Sequence, residues 1–144
     1  WISGIFMILL TALLVLICFR SMRLIMAFFQ LRQQNMEKAK VWLDRLNPEH
    51  LWKNQKGYYF FLLGSVDAQK NSLTQSEKHF RTALNYGLRM DHDKAMVYLN
   101  LSVIMANKRK KREALTLLAE AKKYDSKGYL KNDIKQVSKM VNSI

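Results

Sequence analysis

Hydrophobic residues are concentrated at the N-terminal end of the chain and are periodic in the rest of it. Residues 1–19, WISGIFMILLTALLVLICF, contain no charged residue. A helix of this length reaches about 28 Å, close to the hydrocarbon core of a bilayer at about 30 Å. Trp1 suits the membrane interface at one end, and Arg20 and Arg23 begin a basic flank at the other. We therefore predict a transmembrane helix over residues 1–19.

Two alternative interpretations of this segment fit less well. A buried helix of a soluble protein normally keeps one polar face, which this segment lacks. A cleaved signal peptide has its basic residues before the apolar run, whereas here they follow it. Because Lys and Arg collect on cytoplasmic flanks, we expect a single-pass protein with a cytoplasmic C-terminal domain, and the bacterial inner membrane is the expected location. Cys18 lies inside the segment and is interpreted as a small apolar residue in lipid.

From residue 20 onward, apolar residues recur at helical spacing and one pattern occurs twice. The pattern is an aromatic residue, Leu and a small residue, followed by a small residue, a large apolar residue and Ala. The second copy follows the first at a constant offset: Phe60, Leu63, Gly64, Ser76, Phe80 and Ala83, then Tyr98, Leu101, Ser102, Ala114, Leu118 and Ala121. Small residues at these positions allow two antiparallel helices to approach closely, and the large residue fills the space between units.

This pattern resembles the tetratricopeptide repeat (TPR), a helix-turn-helix unit of about 34 residues. The resemblance covers residues 57–127 well, as two repeats. It departs from the family pattern in three ways: neither unit has the terminal Pro, Asp67 stands where a Tyr is usual, and four extra residues separate the units.

The flanking segments extend the resemblance more weakly. Residues 20–50 are predicted as a degenerate unit continuous with the membrane helix, because Ala27, Ala39, Leu43 and Leu46 have the spacings of the first good unit. Residues 128–144 are predicted as the terminal capping helix that repeat arrays need. The expected fold is therefore all-α, with a transmembrane helix followed by a short TPR-like solenoid of two to three repeats and a capping helix. Thr74 and Glu77 form a capping-box pattern at one predicted helix start.

The resemblance also implies a function. TPR arrays bind other proteins, and their inner groove is lined mainly by the first helix of each unit. The positions that match this groove, which we call the stripe, are Tyr58, Phe61, Ser65, Ala68, Met96, Leu99, Val103 and Ala106. Packing on neighbouring helices is the alternative interpretation of this apolar stripe. The expected function is a membrane-anchored scaffold or adaptor, a small accessory subunit of a membrane complex. Its expected partner is an integral membrane protein or the exposed helix of one.

Charge suggests a second function of a different class. The chain carries a formal net charge of +13. The densest basic run, in a predicted turn between two helices, consists of Lys108, Arg109, Lys110, Lys111 and Arg112. A solvated loop is the simplest interpretation of such a run. The alternative is a basic cytoplasmic surface that tethers RNA, a ribosome or anionic lipid at the membrane. Aromatic residues do not interleave with the run as in RNA-binding patterns, which ranks RNA lower.

Nothing in the sequence indicates catalysis. His50, His79 and His92 do not lie at metal-ligand spacing with another His or with Cys18. The motif Asp91-His92-Asp93 is explained more simply by helix N-capping than by metal binding. A phosphate-binding Gly-rich loop and a nucleophile-elbow motif are both absent from the sequence. We therefore expect a protein that is not an enzyme, with no catalytic residue, metal, cofactor or small-molecule substrate.

Overall fold

The regular structure is entirely helical across the residues that the computed structural model describes, 2–33 and 35–144. This confirms the all-α prediction. The helices are α1 (Ile2–Arg32), α2 (Met36–Asp44), α3 (Lys53–Gln69), α4 (Leu73–Tyr86), α5 (Asp91–Asn107), α6 (Lys111–Tyr124) and α7 (Lys131–Asn142), with a 3-10 turn at Pro48–His50. The chain divides into two compact units: unit 1 ends at Pro48 and unit 2 is Glu49–Ile144.

Unit 1 consists of α1 and α2, which pack against each other. The core of this unit includes Ala27, Ala39 and Leu43, which are fully buried, and Leu46, which is nearly so. Small side chains at 27 and 39 allow α2 to lie close to the C-terminal half of α1. The N-terminal half of α1 differs, because its described apolar side chains are exposed from Ile5 to Phe19.

No helix reaches the length and apolarity needed to cross a membrane when the described residues alone are considered. This finding does not support the transmembrane helix predicted over residues 1–19. Trp1, the predicted interface residue, lies outside the described residues, as do the side chains of Arg20 and Arg32.

Unit 2 contains two helical hairpins with the same dimensions. The first helices, α3 and α5, have 17 residues each, and the second helices, α4 and α6, have 14 each. The helices of the second hairpin begin and end at one constant offset from those of the first. The helices of each hairpin run antiparallel: α3 approaches α4 at Gly64 and Phe80, and its start approaches Gly87. The sequence repeat is therefore also a structural repeat, with the same offset.

Small residues set the distance between the paired helices. A Cβ atom on Gly64 would lie 2.8 Å from the Cδ1 atom of Phe80, whose side chain is fully buried. The Oγ of Ser76 donates a hydrogen bond to the Gly64 carbonyl at 2.7 Å. In the second hairpin the Oγ of Ser102 donates to the Ala114 carbonyl at 2.8 Å. Each hairpin is therefore joined by one buried hydroxyl at its closest approach.

The turns inside the two hairpins also match. Asn71 and Arg109 have φ values of 57° and 58°, in the left-handed region, and each follows the first helix of its hairpin. The next residue in each turn donates its N–H back across the helix end, from Ser72 to Asp67 and from Lys110 to Met105, both at 2.9 Å. This geometry is a common helix ending that usually employs Gly. Arg109 adopts it at a cost of about 1 kcal/mol.

Helix α7 closes the array. It contacts both α5 and α6, as the first helix of a further unit would. Ile134, Val137 and Val141 are buried on one face, and the opposite face is polar. Such an amphipathic helix covers the last hairpin.

The capping box predicted at Thr74 does not form. The N-cap of helix α4 is Ser72, two residues before Thr74, so the helix begins at Leu73, and no side chain makes a cap hydrogen bond. The Glu77 carboxylate instead binds Lys108 and Arg81. Hydrogen bonds to two cations are stronger than the bond that a neutral backbone N–H would donate to the same oxygens.

We expect Gly57→Ala and Gly64→Ala to destabilise the protein. A Cβ at Gly57 would overlap the backbone carbonyl oxygen of Gly87, and one at Gly64 would overlap the buried Phe80 ring. Overpacking of this kind costs about 1–3 kcal/mol of stability. Replacing a helical Gly by Ala where no clash occurs would instead add about 1 kcal/mol of stability. Gly57→Ala should lower the free energy of unfolding more than Gly64→Ala, because the backbone of Gly87 can shift less easily than the side chain of Phe80. Urea unfolding measures both.

Ser65→Ala, on the same helix α3, is the matched control. Its Oγ donates to the Phe61 carbonyl one turn earlier on the same helix, so its loss should change the free energy of unfolding by less than about 0.5 kcal/mol. Stabilisation by Gly64→Ala would contradict the close-packing explanation.

Candidate functional site: the repeat surface and its charged edge

The predicted stripe is divided between buried and accessible residues. Phe61, Leu99 and Ala106 are 3%, 9% and 3% exposed and belong to the core, with the Phe61 ring packed on Phe80 at 6.3 Å between centroids. The other members of the stripe are half-buried: Tyr58, Ser65, Ala68, Met96 and Val103. The stripe thus contains an apolar floor and a set of partly accessible side chains along α3 and α5.

Tyr58 connects the two repeats at one end of the stripe. Burial raises the pKa of the Tyr58 phenol, and a hydrogen bond to the Asp93 carboxylate, together with its charge, raises it further. Asp93 lies in the first turn of α5, so this contact fixes the start of α5 against α3. The sequence pattern predicts Asp93 only as part of a helix cap, and its pairing with Tyr58 is visible only in the structure.

In each hairpin, a stacked pair of aromatic rings joins the last residue of the second helix to the middle of the first helix. Phe60 stacks on Tyr86 at 5.6 Å and an interplanar angle of 2°, and Tyr98 stacks on Tyr124 at 5.5 Å and 6°. A lysine completes each pair: Lys56 lies 5.8 Å from the Tyr86 ring and Lys94 lies 5.2 Å from the Tyr124 ring. Burial, and to a smaller extent Tyr124, raises the pKa of Tyr98. Tyr86 and Tyr124 are separated by the same offset as the two repeats, and so are Lys56 and Lys94.

Asp67 and His79 form a polar pair in the first hairpin. The His79 Nδ1 atom lies 2.6 Å from the Asp67 Oδ2 atom, and both side chains are about one-fifth exposed, at 21% and 22%. The equivalent residues of the second hairpin are Met105 and Leu117. The pair connects α3 to α4 inside the first hairpin. We interpret it as a structural contact.

The basic run is partly neutralised by the first hairpin. Lys108 Nζ lies 2.6 Å from Glu77 Oε2, and Arg81 bridges Glu77 at 2.9 Å and Glu113 at 2.6 Å. Lys110 is 3.7 Å from Glu113. The hydrogen bond from Lys108, followed by that from Arg81, lowers the pKa of Glu77. Two of these pairs, Lys108 with Glu77 and Arg81 with Glu113, join the second repeat to α4 of the first.

The remaining members of the run lie near the end of α7. Lys111 Nζ donates to the Asn142 carbonyl at 3.2 Å. Arg109 borders an open cleft of about 320 Å³ with Ala106, Asn107, Met140, Ser143 and Ile144. Arg112 is exposed on α6. The structure therefore separates the five residues into two groups. Lys108 and Lys110 pair with carboxylates, whereas Arg109, Lys111 and Arg112 form no ion pair with the described residues.

No group of three His, Cys, Asp or Glu side chains that could hold a metal ion occurs in the described part of the chain. Asp91 pairs with Lys94 at 2.9 Å, and the His92 ring contacts Tyr129 edge-on at 5.8 Å. No protein-family model, curated protein or solved structure matches this chain.

We predict that Glu77→Gln reduces stability at neutral pH by about 1 kcal/mol and that its effect fades in acid. A carboxyl whose folded pKa is lowered stabilises the fold above its ordinary pKa of 4.5, and this stabilisation is lost as the pH falls further. Thermal unfolding of both proteins across this range measures the difference.

Glu120→Gln is the matched control, because the ion pair of Glu120 with the exposed Lys123 is long, at 3.6 Å. We expect it to cost less than about 0.5 kcal/mol at every pH. Equal effects of the two substitutions would mean that the network around Glu77 does not join the repeats.

Proposed function

We propose that this protein is a membrane-anchored helical-repeat adaptor. Its α1 helix inserts into lipid, and the stripe along α3 and α5 receives a segment of a partner protein. The observation that carries the proposal is the exposed apolar surface of α1. The resemblance of the two hairpins to TPR units, which bind proteins, supports the adaptor role.

The apolar side chains on the surface of α1 need to be shielded from water. In the part of α1 up to Phe19, the most exposed apolar side chains are 62–68% exposed: Ile5, Ile8, Leu9, Leu16 and Phe19. Consecutive exposed positions such as 7–10 and 13–16 point to all sides of the helix, so one neighbouring face cannot cover them. Soluble monomers rarely leave a continuous apolar surface of this kind in water.

Lipid is the cover that fits this surface. Hydrocarbon can surround a helix on all sides because the helix satisfies its own backbone hydrogen bonds. With Arg23 exposed beyond the apolar segment, the positive-inside tendency favours a cytoplasmic position for unit 2.

The stripe favours an apolar helix or extended segment as the bound element. Met96 and Val103 on α5, and Tyr58 and Ala68 on α3, remain partly accessible above the buried floor. Apolar side chains spaced along neighbouring helix faces suit the anchors of an amphipathic helix. An integral membrane protein, held near the same bilayer, would present such a segment at high effective concentration.

Charged residues in α1 should release the protein from the membrane. Leu9→Arg with Leu13→Arg places two guanidinium groups among the exposed apolar residues, at a cost of about 3 kcal/mol each in hydrocarbon. Wild type should remain in the membrane pellet after alkaline carbonate extraction, and the double variant should not. The control Thr116→Arg, on the exposed face of α6, should behave as wild type. Extraction of wild type by carbonate would contradict the anchor.

Acidic residues in the stripe should release the partner. Met96→Glu and Val103→Glu alter half-buried side chains, whereas Phe61 and Leu99 are buried and would report folding instead. Purification from native membranes should yield a partner at fixed stoichiometry, reduced about tenfold or more by each variant because a buried unpaired carboxylate costs several kcal/mol. The midpoint of thermal unfolding should stay near that of wild type.

Ala119→Glu, which adds the same charge on the exposed face of α6, is the control and should retain the partner. Retention of the partner by both stripe variants would contradict the proposal that the stripe is the binding groove. It would not contradict the proposal that α1 is a membrane anchor.

A further inference from the structure

Three lysines form an exposed row along α7. Lys131, Lys135 and Lys139 are all exposed, while Ile134 and Val137 occupy the buried side of the same helix. A spacing of four residues places the lysines on neighbouring positions of one face, over about 12 Å of helix length. The row is therefore a straight array of positive charge on the outer face of the last helix.

The charges of these lysines are not paired with carboxylates of the described residues. Within the described part of the chain, no carboxylate forms an ion pair with any of the three. Like charges four residues apart on a helix repel, at about 0.2–0.5 kcal/mol per pair. An external anion would relieve this repulsion.

The nearby acidic residues have other partners or positions. Glu113 binds Arg81, Glu120 binds Lys123, and Asp125 accepts a hydrogen bond from the Leu130 N–H at 3.1 Å. The carboxylate on α7 itself is Asp133, in the first turn, where a negative charge favours the helix N-terminus.

The positive surface extends from α7 onto α6. Lys111 contacts the end of α7 through its hydrogen bond to the Asn142 carbonyl, and the next residue, Arg112, is exposed. In the neighbouring turn, by contrast, Lys108 and Lys110 are paired with carboxylates. Basic charge without an ion pair among the described residues therefore lies on α7, at the start of α6 and at Arg109 of the α5–α6 turn.

The chemistry of the row favours a diffuse anionic surface. Ammonium groups act as point charges and do not provide the bidentate geometry with which Arg reads bases or single carboxylates. The exposed side chains beside the lysines on α7 include Asn132 and Gln136, which cannot stack on a base as the aromatic residues of RNA-binding surfaces do. The aromatic residue before the helix, Tyr129, is exposed, and its ring contacts the His92 ring edge-on at 5.8 Å. A layer of lipid phosphates, by contrast, needs only charge and a flat approach.

We infer that the outer face of α7, with Lys131, Lys135 and Lys139 at its centre, docks on the anionic headgroups of a membrane. This inference rests on the membrane-anchored part of the proposed function. It adds a second, electrostatic contact between unit 2 and the bilayer.

Lysine acetylation of the full chain in vesicles tests the inference. One sample contains phosphatidylcholine alone, and the other contains phosphatidylcholine with phosphatidylglycerol. In the anionic vesicles we expect the reactivity of the three lysines to fall about fivefold each, which corresponds to about 1 kcal/mol per lysine. High salt should restore it. Lys78, exposed on α4, should react equally in both samples. Equal reactivity of the α7 lysines in both samples would overturn the inference.

A second readout uses the distance from α7 to the bilayer. A fluorophore at Gln136→Cys, in a Cys18→Ser background, reports this distance by energy transfer to a labelled lipid. Replacing the three α7 lysines by Gln should reduce the transfer in anionic vesicles to the level found in neutral ones. The control replaces Lys53, Lys70 and Lys78, which are exposed on the first hairpin, and should leave the transfer unchanged.

The outcomes separate the two proposals. Loss of the chain from neutral vesicles reports failure of the α1 anchor, whereas the difference between anionic and neutral vesicles reports the α7 lysines alone. Protection of these lysines by added RNA, without protection by anionic vesicles, would overturn the inference in favour of a nucleic-acid surface.

Discussion

The close approach of the two helices in each hairpin is the constraint on which unit 2 depends. In the first hairpin Gly64 leaves room for the Phe80 ring, and Ser76 bonds to the Gly64 carbonyl. In the second, Ser102 and Ala114 replace these small residues, so the hydroxyl donates in the opposite direction between the helices. The geometry persists although the donor has changed helix. What both hairpins retain is small side chains at the contact, because interiors pack at crystal-like density.

Polar contacts link the two hairpins to each other. Arg81, Glu77 and Lys108 link α4 to the α5–α6 turn, and Tyr58 links α3 to α5. These links lie at the surface, where the contribution of each is small. The capping helix α7 adds apolar burial at the last joint through residues such as Ile134.

The helical repeat could be predicted from sequence because it depends on local spacing. Gly64 and Ser102 have fixed offsets from their large partners, and these offsets also match the buried residues of unit 1, such as Ala27. Side-chain partners could not be predicted, because Glu77 binds two cations instead of a backbone N–H. The spacing of the stripe residues also could not predict which of them are buried and which are accessible. Phe61 and Ser65 are one helical turn apart, yet Phe61 is buried and Ser65 is half-buried. Burial there depends on which neighbouring helix covers each position.

The proposed function depends on the difference between the apolar surface of α1 and the mainly polar surface of unit 2. Helix α1 presents apolar side chains such as Leu9 on all sides, whereas the outer helices of unit 2 present mainly polar ones. Depth measurement of spin labels tests this difference most directly, with labels at Leu9→Cys and at Leu115→Cys in a Cys18→Ser background in lipid vesicles. We predict that oxygen relaxes the label at position 9 and that a water-soluble nickel reagent relaxes the label at position 115. Equal access of the nickel reagent to both labels, or protection of position 9 from both reagents, would contradict the membrane anchor.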